Sequence, residues 1–147
     1  MTDLADFSRI ALADRGLCVL ATSRRDATIQ ASVINAGVLD HPATGVPVVG
    51  LVARGASRKV ENLRRRPNVT IVARSGWEWV AVEGPAEILG PDDPAPDLDA
   101  DGLRLLLRSV FSAAGGQHDD WDEYDRVMAA ERRAAVLITP GRVYSNG

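Results

Sequence analysis

The sequence is poor in the residues that carry most side-chain chemistry. Among 147 residues it has one cysteine, Cys18, and two histidines, His41 and His118. A lone cysteine excludes an intrachain disulfide and fits a reducing cytoplasm. Three such residues fall short of a Cys/His metal centre. Aromatic residues make up only 5% of the chain. There is a single lysine, Lys59, against sixteen arginines. Long apolar runs are missing as well: charges, glycine or proline interrupt each one well short of the ~18 residues of a membrane-spanning helix. The opening MTDLADFSRI carries acids where a secretory signal carries bases, so no signal is expected. No G-x-S-x-G elbow occurs, nor a G-x-x-x-x-G-K-[ST] or G-x-G-x-x-G loop. This disfavours the corresponding hydrolases and nucleotide-binding folds.

What remains is an ordinary globular composition, 46% hydrophobic and 25% charged, with a net charge of −3. Residues 1–147 read as one domain with a real core. The charge is unevenly placed. Arg54 to Arg74 carries a net +6, whereas the rest of the chain carries −9. One basic stretch in an acidic protein points to a local anion site more than to a nucleic-acid face. A helix that ends in arginines accounts for the same charges through its dipole.

Leu4, Phe7, Ile10 and Ala11 recur at helical spacing, so residues 3–14 read as an amphipathic helix. Strands follow over 16–22, 29–39 and 46–53, separated by the turns SRRDAT and DHPATG. The third is nearly all apolar, with Pro47 expected at its start or on an edge. Ser57 is the expected cap of a short helix that Pro67 stops. Two strands over 69–73 and 79–83 come next, and 86–89 extends the second past a Gly84-Pro85 kink. Residues 90–101 form an acidic, proline-rich loop. Leu103, Leu106, Leu107, Val110, Phe111 and Ala114 then make a helical stripe. A further helix is capped by Asp119 or Asp120, with Trp121, Tyr124, Val127 and Met128 on one face. Residues 134–139 are a last long strand, and 142–144 pair briefly. Successive short strands joined by turns follow antiparallel hairpin logic. The expected fold is mainly β, a small barrel of about six antiparallel strands with flanking helices. The long 90–125 segment is expected to cover the substrate side.

Several features carry less chemistry than they first show. Cys18 lies in an apolar strand and reads as a small buried hydrophobe. The aspartates of residues 92–101 lack the glycine and bidentate glutamate of a calcium loop. His118-Asp119-Asp120 reads as a helix cap. Arg64, Arg65 and Arg66 read as the solvated or interfacial last turn of a helix.

The stretch VARGASRKVENL, residues 52–63, is different. A buried strand runs into Arg-Gly-Ala-Ser and a helix opens at once. Amides at a helix start hold anions. Ser57 adds a hydroxyl, and Arg54, Arg58 and Lys59 add charged donors. Gly55 permits close backbone approach. A phosphate cradle is the functional reading; a helix with basic caps is the plain one.

RGASRKVENLRRRPNVTIV, followed by WEWVAVEGPAEIL, resembles the flavin/deazaflavin oxidoreductase superfamily, the split β-barrel group related to pyridoxamine 5′-phosphate oxidase. More narrowly it is similar to the actinobacterial branch dependent on coenzyme F-420. GLCVLATSRRDATIQASVIN matches that family's first hairpin and AAVLITPGRVYS its last strand. The resemblance implies a cytoplasmic homodimer with cofactor at the subunit interface. It implies coenzyme F-420, with FMN as the alternative, and a small-molecule acceptor such as a quinone, enone or tetrapyrrole. Ser57, Arg58 and Lys59 would then hold the cofactor phosphate, framed by Arg54, Gly55 and Ala56 and supported by Asn62. Ser32, Val33, Ile34 and Asn35 would lie along the ring edge. Trp77 or Trp79 would line the pocket, although core packing serves Trp79 equally well. Arg64 and Arg65 widen the basic run toward a longer anionic tail. No catalytic side chain is implied; Tyr124, Tyr144 or solvent would supply a proton. A protein that binds flavin or haem without turnover would use the same features.

Overall fold

A computed structural model describes residues 1–146. Helix α1 (Leu4–Ala13) starts on a capping box between Asp3 and Asp6. It is followed by strands β1 (Leu17–Ser23), β2 (Ile29–Asp40) and β3 (Pro47–Arg54). Helix α2 (Arg58–Arg65) precedes β4 (Asn68–Ser75) and β5 (Glu78–Leu89). Helices α3 (Ala100–Ala113) and α4 (Trp121–Ala130), then β6 (Arg133–Ile138) and β7 (Arg142–Tyr144), complete the chain.

Six strands close into a ring in the order β4-β1-β2-β3-β6-β5, sealed by the β4–β5 pairing, and β7 adds to β5. All pairings are antiparallel. The two longest strands each serve two neighbours. β2 pairs with β1 through Ile29–Asn35 and with β3 through Ala36–Asp40. β5 pairs with β4 up to Pro85 and with β6 from Ala86 onward. The barrel is split at these two changes of partner. At the second, a Cβ on Gly84 would lie 1.8 Å from the Thr139 carbonyl oxygen, so only glycine fits. The Gly84-Pro85 bend expected from sequence is therefore a bend inside one continuous strand. The same logic applies to Gly37, where a Cβ would meet the Ala113 carbonyl at the end of α3.

Two apolar clusters follow from this layout. One fills the barrel with strand residues such as Leu20, Leu51, Ile71 and Val82, joined by Phe7 and Ile10 of α1 and by Val60 and Leu63 of α2. The other lies on the outer side of β3 and β6, where Val48, Ala135 and Leu137 meet Leu106, Leu107, Val110 and Tyr124. The 90–125 segment thus packs as a second layer, and ion pairs Arg64–Asp93 and Arg132–Asp92 tie its loop down.

Element boundaries differ from the sequence expectation in small ways. Helix α3 starts at Ala100, inside the expected loop, because Asp99 accepts from the Gly102 amide and caps it there. Asp120, not Asp119, caps α4. Val127, expected on the buried face of α4, is exposed, and Tyr124 is the buried residue of that helix. Cys18 is buried, and burial pushes its thiol up to about 12, as a small core residue requires. Among the described residues no helix is long and apolar enough to cross a membrane.

Candidate functional site

Strand β3 ends at Arg54, and after three intervening residues α2 begins. Ser57 takes the extended conformation of a helix cap but makes no side-chain capping bond. Its Oγ is buried and has no hydrogen-bond partner among the described residues. A buried polar atom left unpaired is uncommon and calls for an explanation. The amides of Arg58, Lys59 and Val60 open the helix and find no backbone acceptor among the described residues. No carboxylate lies within 4.0 Å of Arg58 or Lys59 among the described residues. The start of α2 is therefore a set of donors without acceptors.

The first hairpin adds to this corner. A depression of about 540 Å³ lies between the β1–β2 turn and α2, lined by Arg24, Arg25, Asp26, Arg58 and Asn62. Asp26 is turned inward on its own loop, accepting from the Thr28 amide and hydroxyl, and those bonds hold its carboxyl below the usual range. Arg24 is steered by a 2.8 Å bond to the Ile29 carbonyl. By its sequence SRRDAT is only a turn. The juxtaposition of Arg24 and Arg25 with α2 is a long-range consequence of barrel closure, and no local pattern announces it.

Asn62 supports the corner from behind. Its Nδ2 donates to Thr22 Oγ1 at 3.1 Å and to Gln30 Oε1 at 3.4 Å, fastening α2 to the first hairpin. Arg54 and Gly55 lie on the other side of the turn. Arg54 pairs with Glu131 at 3.1 Å. The Gly55 amide donates to the Arg132 carbonyl, and a Cβ there would sit 3.1 Å from Asp92. Ala56 is exposed between the two groups. Arg64, expected to widen the anion site, is instead held by Asp93 through two bonds of 2.8 and 2.7 Å. Arg66 donates to the Ser23 carbonyl, and of the three only Arg65 lacks such a tie.

The four β2 candidates divide by strand alternation. Ser32 and Ile34 stand opposite Leu20 and Cys18 and share their inward face. Val33 and Asn35 face outward. The Ala36 amide bonds the Gly16 carbonyl, so the hydrogen-bonded pairs with β1 run through Ile34 and Ser32. The backbone groups of Val33 and Asn35 therefore point to the other edge, where β3 pairing begins only at Ala36. That edge is open backbone. The Asn35 side chain is already used, donating to the Arg15 carbonyl.

The outer face of β1 and β2 is apolar and uncovered, with Leu17, Val19, Ile29 and Val33 exposed, Val33 by 66%. Trp77, at the tip of the β4–β5 hairpin, is 96% exposed. Trp79 is half-buried and packs edge-on against Tyr144, with ring centroids 6.1 Å apart. The Tyr144 hydroxyl donates to Glu83, and that bond raises its pKa. Tyr124 donates to the Leu107 carbonyl, and burial pushes its hydroxyl up to about 12.

Ring closure with strands that change partner defines the class: the fold is the split β-barrel of the pyridoxamine 5′-phosphate oxidase-like proteins. No protein-family model matches the chain. Among solved structures it is similar to a conserved hypothetical protein, Rv2991, of Mycobacterium tuberculosis, with a TM-score of 0.71 and 22% identity over 99% of this chain and 84% of that one. A pyridoxamine 5′-phosphate oxidase-related, FMN-binding protein of Nostoc punctiforme aligns with a TM-score of 0.63 and 14% identity over 95% of this chain and 78% of its own. An F-420 reductase aligns with a TM-score of 0.60 and 15% identity over 88% and 90%.

Proposed function

We propose that the chain is an oxidoreductase that binds coenzyme F-420 with its phosphate on the start of α2 and acts on a conjugated or unsaturated small molecule. The observation that carries this reading is the buried, unpartnered Ser57 Oγ beside the uncompensated charges of Arg58 and Lys59. A phosphate is the acceptor such a donor set fits: it takes amides, a hydroxyl and cations at once. Asn62 holds this corner to the first hairpin, and Arg24 and Arg25 extend it. They stand where Arg64 does not, and they restore the room for a longer anionic tail.

When bound, a reduced deazaflavin supplies a hydride. The protein's share is placement. Val33 and Asn35 offer backbone groups at the open edge of β2, suited to the polar rim of a ring. Tyr124 keeps its proton, committed to Leu107, and Tyr144 is committed to Glu83, so the proton comes from solvent. Arg54 and Gly55 brace the turn through Glu131 and Arg132.

The same reading makes the protein a cytoplasmic homodimer of single-domain protomers. The exposed apolar face of Leu17, Val19, Ile29 and Val33 is the contact, and a partner there would wall the cofactor groove. Sedimentation should give a dimer, and Val33→Glu should give monomer with weakened cofactor binding.

Fluorescence titration with F-420 and with FMN at fixed salt tests the cofactor. Micromolar or tighter binding of F-420, well above that of FMN, is expected. Tighter FMN binding would move the protein to the flavin side of its fold class. Binding of neither would end the cofactor reading.

A further inference from the structure

A second cavity lies between α3 and α4 and is lined by no residue of α2. It has a volume of about 390 Å³ and is walled by Pro91, Ala100, Leu103, Leu107, Met128 and Ala129. That size falls within the roughly 300–1,000 Å³ of small-molecule sites. Its existence follows from how the two helices meet. At one end they are locked by the Arg108–Asp125 pair and by the Tyr124 hydroxyl on the Leu107 carbonyl. At the other end Leu103 and Met128 are only half-buried and nothing fills the space between them.

The mouth of this cavity is charged, and the charges are unevenly satisfied. Arg108 occupies Asp125 from outside the cavity through two nitrogens, and that contact holds the Asp125 carboxyl below its usual range. Arg133 is taken by Glu131 and Arg132 by Asp92. Arg104 has only long contacts, 3.5 Å to Asp125 and 3.6 Å to the exposed Asp101. Charge-assisted bonds run closer to 2.7–2.9 Å. Among the described residues Arg104 is thus the guanidinium at the mouth with no carboxylate nearer than 3.5 Å. Arg132, beside it, has φ of +50°, a left-handed backbone that non-glycine residues rarely hold and that collects at functional positions. Its backbone is pinned from both sides, by its amide on the Ala129 carbonyl and by the Gly55 amide on its own carbonyl.

We infer that this cavity binds a medium-chain apolar carboxylate, its chain between Leu103, Leu107 and Met128 and its carboxylate on Arg104. An apolar wall with one underused cation at the rim recognises that shape of molecule. A neutral chain lacks the anchor, and a cation would meet three arginines against two aspartates, Asp101 and Asp125, the second already held by Arg108. The site is independent of the cofactor reading, because none of its walls belongs to α2 or the first hairpin.

The test uses decanoate and the intact protein labelled at the methionine methyl groups. The chain has two methionines. Met128 lines the cavity, and Met1 is fully exposed and serves as the control. Decanoate should shift the Met128 signal saturably and leave Met1 alone. Arg104→Met should weaken the binding by roughly tenfold or more, the weight of a charged hydrogen bond. Decanol should bind the wild type no better than decanoate binds that variant. Leu103→Trp, which fills the cavity from a half-buried position, should abolish the shift, and an unchanged circular dichroism spectrum will show that it folds. An immobile Met128 signal would overturn the site. Equal binding of decanol and decanoate, or an unchanged Kd in Arg104→Met, would overturn the carboxylate assignment.

Discussion

The two ends of α2 carry the same kind of side chain and use it differently. At the N-terminal end, Arg58 and Lys59 have no acidic partner among the described residues and stand beside a buried hydroxyl with nothing there to bond. At the C-terminal end, Arg64 is gripped by Asp93 and Arg66 by the Ser23 carbonyl. In sequence the seven basic residues from Arg54 to Arg74 form one patch. In the fold, part of the patch builds the molecule and part is left with unspent donors. The difference is made by carboxylates that arrive from far along the chain: Asp93 reaches Arg64 and Glu131 reaches Arg54. A charge run therefore marks a ligand site only after its internal partners have been subtracted.

The most drastic way to break this comparison is to remove what holds both ends in place. Val60 and Leu63 are the buried residues of α2 and join the barrel core. Leu63→Ala should cost about 2–5 kcal/mol of stability, the usual range for truncating a buried leucine. Denaturant unfolding will measure it, and both ends should fail together: cofactor affinity falls and the loop around Asp93 loosens. Loss of one without the other would mean that α2 does not act as a rigid platform.

Lys59→Ala addresses the N-terminal end alone. Lys59 touches no carboxylate, so its removal should leave the midpoint of unfolding in place. Cofactor affinity should fall by about 1.5–3 kcal/mol, the size of a charged hydrogen bond. Titration of the variant with F-420 and FMN checks it. A large loss of stability with intact affinity would assign Lys59 a structural role.

Arg64→Ala is the mirror experiment. It removes a two-point bond to Asp93 in a half-buried setting and should cost about 1 kcal/mol of stability. Affinity for the cofactor should not change. A variant that folds as well as the wild type but binds more weakly would return Arg64 to the anion site, where its sequence position had placed it.

These contrasts also show what a sequence of this kind conveys. The barrel is legible because its signals are local. The alternation in Val69–Ala73, the buried run of β3 and the stripe from Leu103 to Ala114 each depend on neighbours in the chain. The start of α2 is legible for the same reason, since a strand, a short turn and a helix cap adjoin one another. Three other features lie beyond that reach. Arg24 and Arg25 face α2 only because β1 and β4 pair. Ser32 and Ile34 turn inward while Val33 and Asn35 turn outward, although all four stood together as candidates. Arg54 and Gly55 are tied to Glu131 and Arg132, which no local pattern announces. In the first and third cases the deciding partner is tens of residues away; in the second it is the adjoining strand, 12 to 18 residues back.

The smallest expected effect concerns acid. Asp92 lies beside Asp93 in the loop that secures the C-terminal end of α2, and its bond to Arg132 holds its carboxyl below the ordinary value of 3.8. A carboxylate whose folded pKa is depressed adds stability above its unfolded value. That stability disappears as the pH falls through 3.8 toward the lower folded value. The pair is well exposed, so the contribution is small and sensitive to salt. The melting temperature should therefore drop a little more steeply below about pH 4 in the wild type than in Asp92→Asn, where the titrating group is gone. Moderate salt should shrink the gap between them. The start of α2 contributes nothing to this difference, because its cations have no carboxylate to lose. Identical acid profiles at low salt would mean that the loop is held by Asp93 and Arg64 alone.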